Sequence, residues 1–359
     1  MTETAVKLSE ILESRSNSFN ALRLLAATSV VVSHSFLFIG GSYSAEPLSW
    51  SPYTLGQHAV NVFFVLSGVM LSHSFTTNPD WRRFAAARIL RIFPGLLVCG
   101  VIVGWLFGAM GTSWALPDYF SDAHTLFYPV ASLLLFNKAP LHDVFQTSTQ
   151  PGEINTPLWT IKYELLAYIC FSLAVYSRLL SNRSVTLAGC VVLGSALTIL
   201  SFLPEPIFGV QFARFGFSFS LGVVAYQYRS SIKLSGPLLG GLLIFVLATN
   251  GTPAGPAASI VWFAYAALVA GSLRLPGLTE FCSRIDLSYG IYIYSWPLQQ
   301  LIVLWGGNGM SIALHAALSL LAVLPFACFS WFMVEKPALA MKQRFGEWRG
   351  RMGKAEIPG

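Results

Sequence analysis

Charged residues are what this sequence has least of. Aspartate, glutamate, lysine and arginine make up 11% of its 359 residues, where a soluble domain carries about 25%. Hydrophobic residues make up 54%, and the mean hydropathy is +0.61. This deficit excludes a soluble globular domain and points to an all-α polytopic membrane protein. Paired cysteine motifs are also lacking. Cys99, Cys170, Cys190, Cys282 and Cys328 lie singly in apolar runs, without zinc or redox spacing, and read as packing residues. No metal is expected. The sequence has no Gly-rich nucleotide loop, internal repeat, low-complexity tract or second soluble domain. A signal peptide does not fit either. Its apolar core runs about 7–15 residues, whereas the first run here extends from Ala21 to about Ile39 behind a polar lead. The formal charge of +6 is then a matter of topology, and no nucleic-acid partner is expected.

Long apolar runs are what the chain has instead. Spanning a bilayer takes about 20 mainly apolar residues. About ten segments fit that template, at roughly 21–40, 58–76, 92–111, 158–177, 185–203, 209–227, 236–250, 257–273, 286–305 and 311–333. The loops on one side carry Arg15, the cluster Arg82, Arg83, Arg88 and Arg91, then Arg178, Arg183, Arg229, Lys233, Arg274 and Arg284. The tail adds Lys336, Lys342, Arg344, Arg349, Arg351 and Lys354, and the opposite loops carry little beyond Lys138. By the positive-inside rule this asymmetry places both termini in the cytoplasm. The expected layout is one domain over 1–359, with a cytoplasmic segment 1–20, a non-cytoplasmic loop 112–157 and a solvated basic tail 335–359. Within the loop, "FYPVASLLLF" is too short to span and reads as an interfacial or re-entrant piece.

Four stretches carry chemistry. In "NALRLLAATSVVVSHSF" (20–36), Arg23 and His34 are eleven residues apart, about 1,100° of helix, so they share a face about 16 Å apart along the axis. Either Arg23 snorkels and His34 bonds a neighbouring helix, or both line a functional cavity in which imidazole accepts and returns a proton. In "WRRFAAARILRIFPG" (81–95), Arg88 and Arg91 share a face. The cluster is either a lipid-phosphate anchor or a receptor for a phosphorylated cytosolic ligand, and Pro94 is expected to end or kink the helix. In "PLWTIKYELLAY" (157–168), Trp159 precedes Glu164, which faces Tyr168 at i,i+4. The carboxylate either forms a rim ion pair beside Lys162 or orients an imidazole or a sugar hydroxyl. In "LSYGIYIYSWPLQQ" (287–300), Tyr289, Tyr292, Tyr294 and Trp296 precede Gln299 and Gln300, as aromatic packing or as a substrate surface. Ser67–Gly68 in "FFVLSG" (63–68) permits close helix approach.

In this order, Arg23…His34, "FFVLSG", "RRFAAARILRIFP", "LWTIKYELLAY", "LSYGIYIYSWP" and the terminal "VEKP" (334–337) resemble the acyltransferase-3 family of bacterial integral-membrane acyltransferases, over almost the whole chain. The resemblance implies about ten membrane helices in a bacterial inner membrane. It also implies an acyl-CoA donor, commonly acetyl-CoA, and a glycan or glycolipid hydroxyl as acceptor. His34 would be catalytic with Glu164. Arg23, Arg82, Arg83, Arg88 and Arg91 would bind the donor, and Trp159, Tyr168, Tyr292 and Gln299 the acceptor. The chain departs from many members at Ser295–Trp296, where a second histidine would stand before the proline, which leaves His34 as the base. It also leaves no room for the fused periplasmic domain of some members. A homo-oligomer remains open. The competing classes are a proton-coupled transporter, for which the matching broken helices are not seen, and a non-catalytic glycan-assembly scaffold.

Overall fold

The computed structural model describes residues 6–13, 17–203 and 209–341. Arg15, Lys342, Arg344, Arg349, Arg351 and Lys354, which contribute to the topology reading, lie outside the described residues. The regular secondary structure of the described chain is all helical, apart from two isolated bridges, Lys7 with Lys233 and Thr112 with Val144. In order the helices are α1 (Leu8–Glu13), α2 (Phe19–Gly40), α3 (Leu55–Thr77), α4 (Trp81–Val101), α5 (Gly108–Gly111), α6 (Leu116–Ser121), α7 (Ala123–Leu135) and α8 (Ile161–Tyr176). There follow α9 (Arg183–Leu200), α10 (Val210–Gln227), α11 (Gly236–Thr249), α12 (Gly255–Ser272), α13 (Leu278–Arg284), α14 (Ser288–Gly306) and α15 (Ile312–Phe329). A π-helical stretch, Ile102–Phe107, joins α4 to α5, and another, Ser330–Glu335, continues α15 to Met341.

Among the described residues, seven helices are long and apolar enough to cross a membrane. α11 is apolar but has 14 residues. α10 and α14 have the length, but polar side chains interrupt them, Arg214 in one and Gln299 and Gln300 in the other. This is an all-α polytopic membrane architecture.

Helix ends follow local chemistry. Asp80, Asp122, Asn182, Ser235 and Ser311 accept amide bonds at the starts of α4, α7, α9, α11 and α15. Gly41, at φ 71°, closes α2 in the left-handed region. Two expectations change. α4 begins at Trp81 rather than near 92, because the Ala- and Arg-rich turn after Asp80 forms good helix although its charges bar it from an apolar window. Of the end or kink expected at Pro94, the end does not occur, since the helix continues to Val101. Proline removes one amide donor, and a long helix in lipid can absorb that loss.

The chain forms two compact units, Met1–Thr76 with Lys162–Ser288 and Thr77–Ile161 with Tyr289–Gly359. In the first, α9 packs on α10 and α11 on α12. Gly68 and Gly222 let α3 and α10 touch backbone to backbone: a Cβ at Gly222 would sit 2.0 Å from the Val65 carbonyl oxygen. The small residue noted in "FFVLSG" serves that approach. The polar lead also contains α1, whose Leu8, Ile11 and Leu12 are buried and whose first amides bond the carbonyls of Ile232 and Arg229.

In the second unit α7 lies along α4. Gly100, Gly104, Gly108 and Gly111 form one seam, pressed by Pro129 and Ser132, Tyr128, Tyr119 and Phe145 respectively. The 13-residue α7 turns Leu126, Phe127, Val130, Leu134 and Leu135 outward and buries Tyr128, Pro129 and Ser132. Its one-sided apolar surface suits an interfacial or re-entrant piece.

Candidate active site

His34 sits in α2, about two turns before the Gly41 cap. Its neighbours Ser33 and Ser35 are fully buried. Ser33 reaches α3 because Gly56 has no side chain: a Cβ there would lie 2.9 Å from Ser33 Oγ. The α2 turn carrying His34 is thereby docked on the first turn of α3. That turn is rich in buried polar groups. Leu55 donates its amide to Glu46 Oε1 at 2.9 Å, so a loop carboxylate caps α3. His58 Nε2 is 2.8 Å from Ser51 Oγ, with its ring stacked 3.8 Å from Phe263. Arg214, 1% exposed, donates to Asn61 Oδ1 at 2.8 Å, to the Gln57 carbonyl at 2.9 Å and to Gln211 Oε1 at 3.2 Å, and its guanidinium lies over Tyr53. Glu46 lies outside the spanning helices, and burial raises its carboxyl above the usual range against the Ser33 hydroxyl and the Leu55 and Gly56 amides.

At the other end of α2, Arg23 Nη1 is 3.0 Å from Asp286 Oδ2. The second Asp286 oxygen accepts the Ser288 hydroxyl at 2.5 Å and amide at 3.2 Å. Asp286 thus caps α14 and holds the Arg23 guanidinium at once. Glu164 accepts the Tyr168 hydroxyl one turn on, and Lys162 lies over the Tyr163 ring. His34, Arg23, Glu164 and Tyr168 belong to the first unit.

The second unit holds Arg82, Arg83, Arg88, Arg91, Trp159, Tyr292 and Gln299. Arg82 is exposed and Arg83 and Arg88 are half-buried, with Arg88 over the Phe84 ring at 5.7 Å. Arg91 faces inward. Its Nη1 is 2.9 Å from Oε2 of Glu335, which is fully buried, and Ser330 Oγ donates to the other oxygen at 2.8 Å. This pair joins the arginine-rich motif to "VEKP". It also moves Glu335 from the expected solvated tail into the helix. The Tyr292 hydroxyl bonds Thr160 Oγ1 at 2.7 Å and the Pro157 carbonyl at 3.0 Å, beside the half-buried Trp159. Trp296 and Gln300 both donate to the Glu153 carbonyl, at 2.8 and 2.6 Å. Gln299 is fully buried, and its carbonyl lies 3.3 Å from His315 Nε2. The polar side of α14 therefore secures residues 148–160.

The acyltransferase-3 model, described as an acyltransferase domain, matches residues 16–334. The chain belongs to the acyltransferase-3 family. Two similar proteins agree along nearly their full lengths. An "O-acetyl transferase" of Shigella phage Sf6 is 28% identical over 337 residues, covering 90% of this chain and 96% of the phage protein. "Nodulation protein 10" of Rhizobium leguminosarum bv. viciae is 24% identical over 360 residues, covering 91% of this chain and 94% of that protein. No solved structure matches. The protein is a multi-pass membrane acyltransferase.

Of the partners in this acyltransferase, Asp286, Glu46, His58 and Arg214 were not singled out from sequence, while Glu335 lies in the quoted "VEKP". Asp286 carries a local signal, an Asp two residues before a helix start. The others gain their meaning only from tertiary neighbours. The acyltransferase also contains a cavity of about 310 Å³ among α8, α9 and α10, lined mainly by apolar residues such as Leu166, Phe171, Leu193 and Phe219. Neither His34 nor Glu164 lines it, so it suits hydrocarbon better than transfer chemistry.

Proposed function

We propose that this acyltransferase moves an acyl group, acetyl in the simplest case, from acyl-CoA to a hydroxyl of a cell-envelope or exported glycan, with His34 as general base. The observation that carries the reading is the α2 face. It holds an imidazole about 16 Å along the helix from an arginine, and Asp286 fixes that arginine. The likeness to a protein named O-acetyl transferase supports the ester product. In the reaction the acceptor oxygen bonds the acyl carbon and the carbon–sulfur bond breaks. The hydroxyl proton passes to His34 and from there to the departing thiolate, leaving an ester and free CoA thiol. Base assistance of this kind is worth about 10²–10⁴-fold. Arg82, Arg83 and Arg88 supply guanidinium donors for the CoA phosphates, and Arg23 adds positive charge on the His34 face. Glu164, held by Tyr168, and Trp159 are the groups assigned to the acceptor. The inner membrane is the location that suits a cytosolic donor and an exported product.

The test is thiol release from acetyl-CoA by purified protein with an envelope-glycan acceptor. His34→Ala should retain no more than about a hundredth of the wild-type rate, the low end of base assistance, while still inserting and folding. A faster variant removes His34 from the chemistry.

A further inference from the structure

One cluster of side chains is not used by the transfer scheme proposed above. It lies wholly in the second unit, where Asp122, His124 and His142 meet. Asp122 is the N-cap of α7, and His124 is the second residue of that helix. His142 arrives from a separate stretch.

Both parts are fixed by the backbone. The Oδ2 of Asp122 accepts the Thr125 amide at 3.1 Å and its hydroxyl at 3.4 Å, which leaves Oδ1 turned to the imidazoles. The next segment is pinned by the Thr112–Val144 bridge and by the Phe145 amide bonded to the Gly111 carbonyl at 3.0 Å. Asp143 and Phe145 both adopt positive φ, 55° and 58°. Such backbone strain persists only where the surroundings over-determine it. Phe145 is fully buried against Gly111, and the Asp143 carboxylate accepts the Ser113 hydroxyl. His142 is therefore held beside His124, with ring centroids 4.1 Å apart.

The separations decide what the cluster suits. Asp122 Oδ1 is 3.4 Å from His124 Nδ1 and 3.5 Å from His142 Nδ1. Charge-assisted hydrogen bonds run about 2.7–2.9 Å, so both contacts are too long to be good ones. Nitrogen and oxygen ligands about 2.0–2.1 Å from a tetrahedral zinc lie about 3.3 Å from each other. The observed distances match that edge. Two imidazoles and one carboxylate form a donor set for a borderline-soft divalent ion rather than for magnesium or calcium, which take oxygen. The second carboxylate oxygen, fixed by the helix cap, orients the first, as outer-shell bonds do in metal sites. The histidine side chains are 46% and 47% exposed, which leaves an entry path and a fourth position for water.

We propose that Asp122, His124 and His142 bind one zinc-class divalent transition ion, which staples the start of α7 to residues 141–145. The expectation of no metal rested on the cysteines, and the spacing 122, 124, 142 follows no zinc motif in sequence. Only the fold brings His142 back across the intervening helix.

The test uses full-length, tag-free protein in detergent, stripped with a chelator and titrated with Zn²⁺ against a chromophoric competitor. Wild type should take up one equivalent, and Mg²⁺ should not compete. His142→Ala and Asp122→Asn should each weaken binding by about tenfold or more, whereas His73→Ala, which belongs to the first unit and not to the cluster, should not. Asp122→Asn keeps a capping side chain, so its loss of binding cannot be assigned to a frayed α7. Absence of binding in wild type up to about 100 µM Zn²⁺, or stoichiometric binding that survives both substitutions, would overturn the proposal.

Discussion

Arg88 and Arg91 lie one helical turn apart, yet their surroundings give them different tasks. Arg91 is committed to the fully buried Glu335, while Arg88 is only half-buried. Removing one partner of a buried pair costs about 3–5 kcal/mol, because the other charge is left stranded. Arg91→Ala and Glu335→Ala should therefore both lower the thermal midpoint in detergent sharply, and the double variant should be no worse than either single one. Arg88→Ala should leave the midpoint unchanged and raise the KM for acetyl-CoA about ten- to a hundred-fold, the worth of one charged phosphate contact. An unchanged KM would remove Arg88 from the donor site. Glu46 gives a pH signature. Its carboxyl is raised in the folded state, so the folded protein holds the proton more tightly than the unfolded chain does. The resulting stabilisation is complete below the ordinary glutamate pKa and is lost as pH rises through the raised value. Glu46→Gln keeps an acceptor for the Leu55 amide and cannot ionise. It should flatten the fall in midpoint on going from about pH 4 to neutrality and raise the midpoint at neutral pH.

Among the elements, the α3–α10 crossing is the most sensitive to volume. A methyl group at Gly222 would meet the Val65 carbonyl and the Val69 amide nitrogen, backbone atoms that cannot step aside. Gly222→Ala should destabilise by about 1–3 kcal/mol, the usual range for overpacking. Gly240→Ala is the control, since a Cβ there meets nothing within 4 Å, and it should be neutral or stabilising by up to about 1 kcal/mol. Thermal unfolding of the two proteins side by side measures the difference. The apolar stretches themselves were readable in advance. The segment placed at 236–250 is α11 at Gly236–Thr249, and the one at 209–227 is α10 at Val210–Gln227, because length and hydropathy carry that information locally. The start of α4 was hidden by its arginines. The two π-helical stretches have no periodic signature, and the glycine seam from Gly100 to Gly111 reads as ordinary small residues until α6, α7 and Phe145 lie on it.

For the whole molecule, the basic loops predict that donor and acceptor approach from opposite faces. Sealed vesicles of known orientation, with labelled acetyl-CoA on the arginine-cluster side and glycan on the other, should pass label to the glycan. Label that moves only when both are on one face would refute that scheme. His34 and Arg23 were legible as candidates because they share one short helix. Their surroundings were not, because Arg23 meets Asp286 across 263 residues of sequence and Arg91 meets Glu335 across 244. The same two separations bear on biosynthesis. A ribosome adds about 5–20 residues each second, so each arginine waits on the order of ten to fifty seconds before its carboxylate has been made. The first unit cannot complete its ion pair until codon 286 is translated, nor the second until codon 335. During that interval the nascent chain carries two uncompensated guanidinium groups at the translocon. Messages truncated ahead of codon 286 would leave both stranded for good and mark their products for proteolysis.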